Sequence, residues 1–109
     1  MDFEITMRKI ENIVKEIIKN IKTKYVHISF DLDCISDKEF NAVNVSVENK
    51  YIDGTGLSLK MIKTALSMLL TNLNVCSLDI VEYNPLLDVD LKCKEKYEEI
   101  LEVIKEAIW

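Results

Sequence analysis

A chain of 109 residues has room for one core, because about 100–150 residues is the common domain size and a second independent core does not fit. Hydrophobic residues make up 49% and charged residues 30%, with two glycines and one proline, which excludes a disordered tail, collagen-like repeats and low-complexity sequence. The formal charge of −5, from 19 acidic against 14 basic residues, creates a field that repels phosphate backbones and argues against nucleic acid as a partner.

Met7, Ile10, Ile13, Val14, Ile17, Ile18 and Ile21 recur at three- and four-residue steps with lysine and glutamate between them, so the spacing predicts an amphipathic helix over residues 5–22. Arg8, Lys9, Lys15, Lys19, Lys22 and Lys24 outnumber Asp2, Glu4, Glu11 and Glu16 there, which reads as a solvated face or, in the alternative, a docking patch for an acidic partner. Tyr25 to Phe30 is short and rich in β-branched and aromatic residues, the pattern of a strand whose apolar face is Val26, Ile28, Phe30 and Leu32. His27 on that strand reads as a packed or hydrogen-bonded core histidine.

Residues 34–57 keep no period and contain Gly54 and Gly56. They read as a long loop with a short edge strand near Ala42–Val47, and a loop of that length in a small domain is usually functional or a lid. Ser58 is placed to cap a helix running from Leu59 to about Leu73, with Ile62, Ala65, Leu66, Leu69, Leu70 and Leu73 as a broad apolar stripe. A second strand is expected over residues 74–81, and Pro85 in Glu82-Tyr83-Asn84-Pro85 stops strand and helix alike. Asp90 can cap a last helix to Ile108, with Tyr97, Ile100, Leu101, Ile104 and Ile108 facing inward.

The three cysteines, Cys34, Cys76 and Cys93, are odd in number and far apart, with His27 as the one imidazole. Neither a disulfide framework nor a zinc knuckle fits. Met1-Asp2-Phe3-Glu4 is acidic where a secretory signal is basic, and no apolar run approaches the ~18 residues that span a bilayer. The expectation is a protein of the reducing cytoplasm without membrane contact.

A strand–helix–strand passage of this length makes a right-handed crossover between parallel strands. The expected order is therefore helix, strand, helix, strand, helix in the α/β class. Two parallel strands leave both sheet edges open, so the chain reads as part of a larger sheet or of an oligomer that completes one. Ligands of open α/β sheets bind at the C-terminal ends of the strands. Asp31 and Asp33 close the first strand and Glu82 closes the second, which predicts three carboxylates on one rim. The two-residue step sends Asp31 and Asp33 in the same direction, with Cα atoms about 6.6 Å apart at ~3.3 Å per residue. Two explanations stand for the pair: acids that bind backbone N–H groups at the start of a loop, or ligands for an oxygen-preferring cation such as Mg²⁺ or Mn²⁺.

Val26-His27-Ile28-Ser29-Phe30-Asp31-Leu32-Asp33 resembles the ureohydrolases (arginase, agmatinase and relatives), whose chains carry a Ser-Phe-Asp-x-Asp strand end. Gly56-Leu57-Ser58-Leu59-Lys60 resembles their Gly-Gly-Leu-Thr/Ser-Tyr-Arg-Glu segment, and Leu78-Asp79-Ile80-Val81-Glu82-Tyr83-Asn84-Pro85 is similar to their Leu-Asp-x-x-Glu-x-Asn-Pro signature. The three matches fall in the family's order and cover about residues 3–108. The resemblance implies a C-terminal fragment of a three-layer, parallel-sheet fold, with residues 1–109 as a single partial domain.

The resemblance also implies a hydrolase with two manganese ions, in which a metal-bridging hydroxide attacks a guanidinium carbon of arginine, agmatine or a similar compound and releases urea. Asp31 and Asp33 would correspond to metal ligands and Glu82 to the carboxylate that holds the guanidinium. Asn84-Pro85 would shape the turn behind it, and Asp79 would be a structural hydrogen-bonding group.

The sequence also departs from the family pattern. The family's third acid and its proline fall on Ser36 and Asp37, and Asn41 to Ser46 replaces Ala-Thr-Gly-Thr-Pro. Met61 stands where the family has a helix-capping glutamate. Four of the family's six metal ligands belong to segments that this sequence does not contain. Two functions follow as expectations: the C-terminal part of a manganese ureohydrolase, inactive without a missing N-terminal piece, or a degenerate, non-catalytic module for binding or homo-oligomerisation.

Overall fold

The computed structural model describes residues 3–36, 38–43 and 56–108, with side chains from Met7 onward. Helix α1 spans Phe3–Asn20 and strand β1 spans Val26–Asp31, followed by a 3-10 turn over Leu32–Cys34. Helix α2 spans Leu59–Asn72, strand β2 Val75–Val81, a second 3-10 turn Pro85–Leu87, and helix α3 Lys92–Ile108. The expected α/β order is present. The proposed edge strand near Ala42–Val47 falls mostly on residues 44–47, which lie outside the described residues; Ala42 and Val43 are buried without strand structure.

β1 and β2 pair in parallel, with Phe30 opposite Ile80 and Asp31 opposite Val81. From the expected inner face, Ile28 and Phe30 pack with Val75, Leu78 and Ile80 into the core shared with α2 and α3, and Val26 is half-buried. The core also takes Leu32, Ile35 and Phe40 from the stretch after β1, Ile62, Leu66 and Leu70 from α2, and Cys93 and Ile100 from α3. Leu32, Ile35, Phe40 and Ile100 are fully buried, each contributing about 1.5–3 kcal/mol of transfer free energy. The loop between β1 and α2 is therefore part of the core at its two ends. Ser36 N–H donates to the Leu57 carbonyl at 2.8 Å and Leu57 N–H to the Cys34 carbonyl at 2.9 Å, adding a one-residue parallel bridge between Ile35 and Leu57.

Among the described residues, none covers the opposite face of the sheet. His27, Ser29, Asp31, Ser77 and Asp79 are all exposed on it, so the described residues supply the sheet and a helical layer on one side. Such a half-covered parallel sheet is what a fragment of a three-layer fold leaves behind. The register slips by one residue between Val26 and His27, and that bulge turns Cys76 and Ser77 outward in succession.

His27 is therefore not a core residue. It is hydrogen-bonded, as expected, but it sits on the uncovered face, with Nδ1 2.6 Å from Ser77 Oγ and Nε2 3.3 Å from Asp79 Oδ2. The strand's alternation, with Ile28 and Phe30 inward, forces its odd-numbered positions out. The apolar stripe of α1 is also only partly covered. Met7 and Val14 are buried, whereas Ile13 is 55% and Ile17 45% exposed, because α2 meets the other flank of the stripe.

Helix starts follow the capping rules with two additions. Ser58 Oγ accepts from Met61 N–H at 3.2 Å, as its position predicts. Met61 supplies no carboxylate, but Glu39 does: its Oε2 accepts the Leu59 N–H from twenty residues away. At α3, Asp90 reaches only the Lys92 N–H, at 3.1 Å. The principal cap is the buried Asp88, which accepts from Cys93 N–H at 3.0 Å and Lys94 N–H at 2.8 Å. The expected inward set of α3 changes accordingly, with Cys93 buried and Ile108 52% exposed.

Candidate active-site rim

The parallel ladder ends with Asp31 beside Val81, so the residue after each strand projects from the same edge of the sheet. Leu32 turns into the core, and this anchors a 3-10 turn that carries Asp33. The strand does not continue through Asp33, and the straight-strand spacing of the two aspartates does not hold. Asp31 is instead the N-cap of the turn, with its Oδ1 accepting from Asp33 N–H at 3.0 Å. This is the backbone-capping role open to any aspartate at the start of a loop. It occupies one lone pair and leaves the exposed carboxylate further acceptor sites.

The half-buried Cys34 thiol beside the two carboxylates is pushed from its usual 9.0 to about 11, first by burial and then by the negative charges of Asp31 and Asp33. The smaller, coulombic part of that rise reflects the negative potential the two aspartates set up at this edge.

On the second strand, Glu82 is exposed and has φ of 78°. This left-handed conformation is uncommon for a residue with a Cβ and costs of order 1 kcal/mol. What holds it there is the anchoring on both sides. Val81 is in the ladder, while the Tyr83 ring packs edge-on to Phe40 at 5.6 Å and lies 5.2 Å from Tyr97. Asn84 N–H donates to the Ala42 carbonyl at 2.7 Å, and Asn84 Oδ1 accepts from Leu86 N–H at 3.1 Å. The turn expected of Asn84-Pro85 is thus present, locked to the end of the long loop.

Tyr83 is fixed by its hydroxyl as well, which donates to Asp88 Oδ2 at 2.7 Å. Burial, then this hydrogen bond and the Asp88 charge, raise the phenol to about 12. Burial pushes Asp88 up, but the hydrogen bonds from Tyr83, Cys93 N–H and Lys94 N–H outweigh it and hold its carboxyl below the usual range. One buried carboxylate therefore joins the end of β2 to the start of α3.

Neither Asp88 nor Glu39 was evident as a structural residue from sequence. Asp88 precedes its amides by five and six positions, beyond the usual capping interval that points to Asp90, and Glu39 is non-local. Asp37 and Ser46 lie outside the described residues. Asp79 Oδ2 lies 3.3 Å from His27 Nε2 on the exposed face of the sheet.

Oxygen donors of the kind a manganese ion accepts are present in Asp31 and Asp33. Their number falls short: among the described residues no three His, Cys, Asp or Glu side chains are grouped so as to hold a metal ion.

A family model described as Arginase family matches residues 1–104. The chain is 35% identical over 95 residues to an arginase of Plasmodium berghei (strain Anka), covering 79% of this chain and 23% of that protein. Among solved structures, arginase from Bacillus caldovelox matches with a TM-score of 0.74 and 26% identity over 86% of this chain and 30% of the other. Helicobacter pylori arginase matches with a TM-score of 0.71 and 25% identity over 93% of this chain and 32% of the other. The agmatine ureohydrolase of Thermoplasma volcanium, at 23% identity and a TM-score of 0.73, shares the fold. The chain spans 23% of the curated relative and about a third of each solved chain.

Proposed function

The chain belongs to the arginase family, and on that premise we propose that it supplies the C-terminal corner of a manganese-dependent ureohydrolase acting on a guanidino compound such as arginine or agmatine. The observation that carries this reading is the parallel register that ends Asp31 against Val81 and so brings the aspartates and Glu82 to one edge. Asp31 and Asp33 would contribute oxygen ligands to a metal centre completed by other segments. Glu82, an exposed carboxylate at the end of β2, would accept the N–H groups of a guanidinium in a charge-assisted pair.

Among the described residues no three His, Cys, Asp or Glu side chains are grouped to hold a metal ion, so this reading requires ligands from other segments. His27 lies near the start of β1, about 13 Å along the strand from Asp31 at ~3.3 Å per residue. On this reading the isolated chain is expected to release no urea from arginine. A test is to mix or co-express it with the N-terminal two-thirds of an arginase and follow urea release from arginine with Mn²⁺. Activity from the mixture, abolished by Glu82→Gln with assembly intact, supports the reading. Turnover by the isolated chain, or a mixture that assembles without activity, overturns it.

A second reading, a non-catalytic module for binding or oligomerisation, is favoured by the use of Asp31 as a turn cap. It predicts that Asp31→Ala lowers stability, that Asp31→Asn, which keeps the capping oxygen, does not, and that neither changes divalent-cation affinity.

A further inference from the structure

A small polar cavity of about 90 Å³ lies where the stretch after β1 meets the start of α3. One wall is Lys38, Glu39 and Asn41, the other is Asp90, Lys92 and Lys96, and the buried Cys93 lies between them. Lys92 and Lys96, four positions apart on α3, share a helix face. Both walls are anchored. Phe40, between Glu39 and Asn41, is fully buried, and the N–H groups of Glu39 and Phe40 both donate to the Ser36 carbonyl at 2.9 Å. The Cys93 thiol donates to Asn41 Oδ1 at 3.4 Å and joins the two sides. A cavity built on fixed walls costs a ligand little ordering entropy.

Each acceptor side chain in the lining is already committed, whereas donors remain. Glu39 Oε2 takes the Leu59 N–H, Asp90 Oδ1 takes the Lys92 N–H at 3.1 Å, and Asn41 Oδ1 takes the thiol. This leaves the Asn41 NH₂ group and three ammonium groups. Lys92 Nζ is 3.9 Å from Asp90 Oδ2, an exposed contact at the limit of an ion pair, and solvent screens it to little. Lys38 and Lys96 have no ion-pair partner among the described residues. Lys96 is moreover half-buried, an uncommon place for an uncompensated lysine. The lining carries three positive charges against two negative ones, a local surplus in a chain of net charge −5. The backbone amides at the start of α3 are taken by Asp88 and Asp90, so the attraction comes from the side chains and not from the helix end.

We propose that this cavity binds inorganic phosphate, whose oxygens accept from Lys38, Lys92, Lys96 and the Asn41 amide. The volume is that of about three water molecules at ~30 Å³ each, which suits a five-atom oxyanion and excludes a nucleotide or a peptide. Lysine serves such a ligand as a point charge with no demand for planar pairing. The bound ion ties the stretch after β1 to α3 and relieves repulsion among the three lysines. The site is independent of the ureohydrolase reading.

The test is to bind phosphate to the full chain at about pH 8, where the ion is mostly a dianion, and to follow it by phosphorus-31 line broadening. Thermal melts are run alongside in sodium phosphate and in sodium chloride of equal ionic strength. A Kd on the order of 1 mM is expected, so at about 10 mM phosphate the melting temperature should exceed that in chloride by several degrees. Lys38→Gln and Lys96→Gln should each weaken binding roughly tenfold. Lys105→Gln, in the last turn of α3, removes the same charge away from the cavity and should leave binding unchanged. Absence of broadening with equal melting temperatures in the two salts would overturn the proposal. So would a loss in Lys105→Gln as large as in Lys96→Gln, which would assign the effect to overall charge. Should Lys96→Gln fail to fold, Lys38→Gln carries the comparison.

Discussion

The Tyr83 hydroxyl donates to Asp88 Oδ2 at 2.7 Å, and this bond couples the strand end that carries Glu82 to the first turn of α3. Its disruption should be felt as stability. Asp88→Asn retains one acceptor and loses the charge, Asp88→Ala loses both backbone amides, and Tyr83→Phe loses one hydrogen bond. Thermal melts should place Asp88→Ala, which loses all three hydrogen bonds, lowest, and Tyr83→Phe down by roughly 4–8 °C, the shift typical of one lost interaction in a domain of this size.

The same pair fixes two limbs of the pH–stability curve. Tyr83 is raised from 10.0 to about 12, so between those values the unfolded phenol has lost its proton while the native one keeps it, and stability falls as pH rises. Asp88 is lowered from 3.8, so the stability it confers is present above that value and is lost as pH falls below it. Tyr83→Phe should flatten the alkaline limb above pH 10. The contribution of Cys34, raised from 9.0 to about 11, starts lower and should survive the substitution. Urea melts across pH 8–12 would check both; an unchanged limb above pH 10 in Tyr83→Phe counts against the assignment.

Glu39 replaces, from another part of the chain, the carboxylate that Met61 does not provide. Glu39→Ala should cost about 1 kcal/mol, the usual worth of a helix N-terminal acceptor. Glu39→Gln, which keeps an acceptor oxygen, should cost less. Denaturant midpoints at constant m would measure both.

If Asp31 and Asp33 hold a cation in the isolated chain, two carboxylates and water should bind Mn²⁺ only weakly, with Kd of about millimolar order. Asp33→Asn should weaken binding by roughly tenfold. Asp31→Asn should weaken it as much with little change in melting temperature, since asparagine keeps the oxygen that caps the turn. Calorimetric titration with each variant would check this; equal affinity in all three proteins would assign the pair to the turn alone.

The exposed pair of His27 and Asp79, each half accessible, should contribute little, because solvent screens it. His27→Ala is expected to change stability by no more than about 0.5 kcal/mol, and a larger loss in a melt would mean that the uncovered face is covered in solution.

Much of this architecture was legible in periodicity. Alternation in Val26–Phe30 and the three-and-four spacing of α2 each have one burial solution, and Ser58 announces its helix locally. The rim was legible only in outline. That Asp31 and Glu82 share an edge follows from parallel pairing, but the inward turn of Leu32, which re-aims Asp33, depends on a pocket built by residues distant in sequence. The caps from Glu39 and Asp88 were hidden for the same reason. The outward placement of His27 was in principle available from the alternation that put Ile28 and Phe30 inside; what concealed it was the absence of a helix that a parallel sheet ordinarily has on that side.

The left-handed backbone at Glu82 makes position 82 a recorder of selective pressure. In a randomised library screened for foldability alone, glycine and asparagine would accumulate there, because they tolerate that geometry best. A glutamate that persists through such a screen only when a guanidinium ligand is also demanded would date its retention to chemistry and not to architecture.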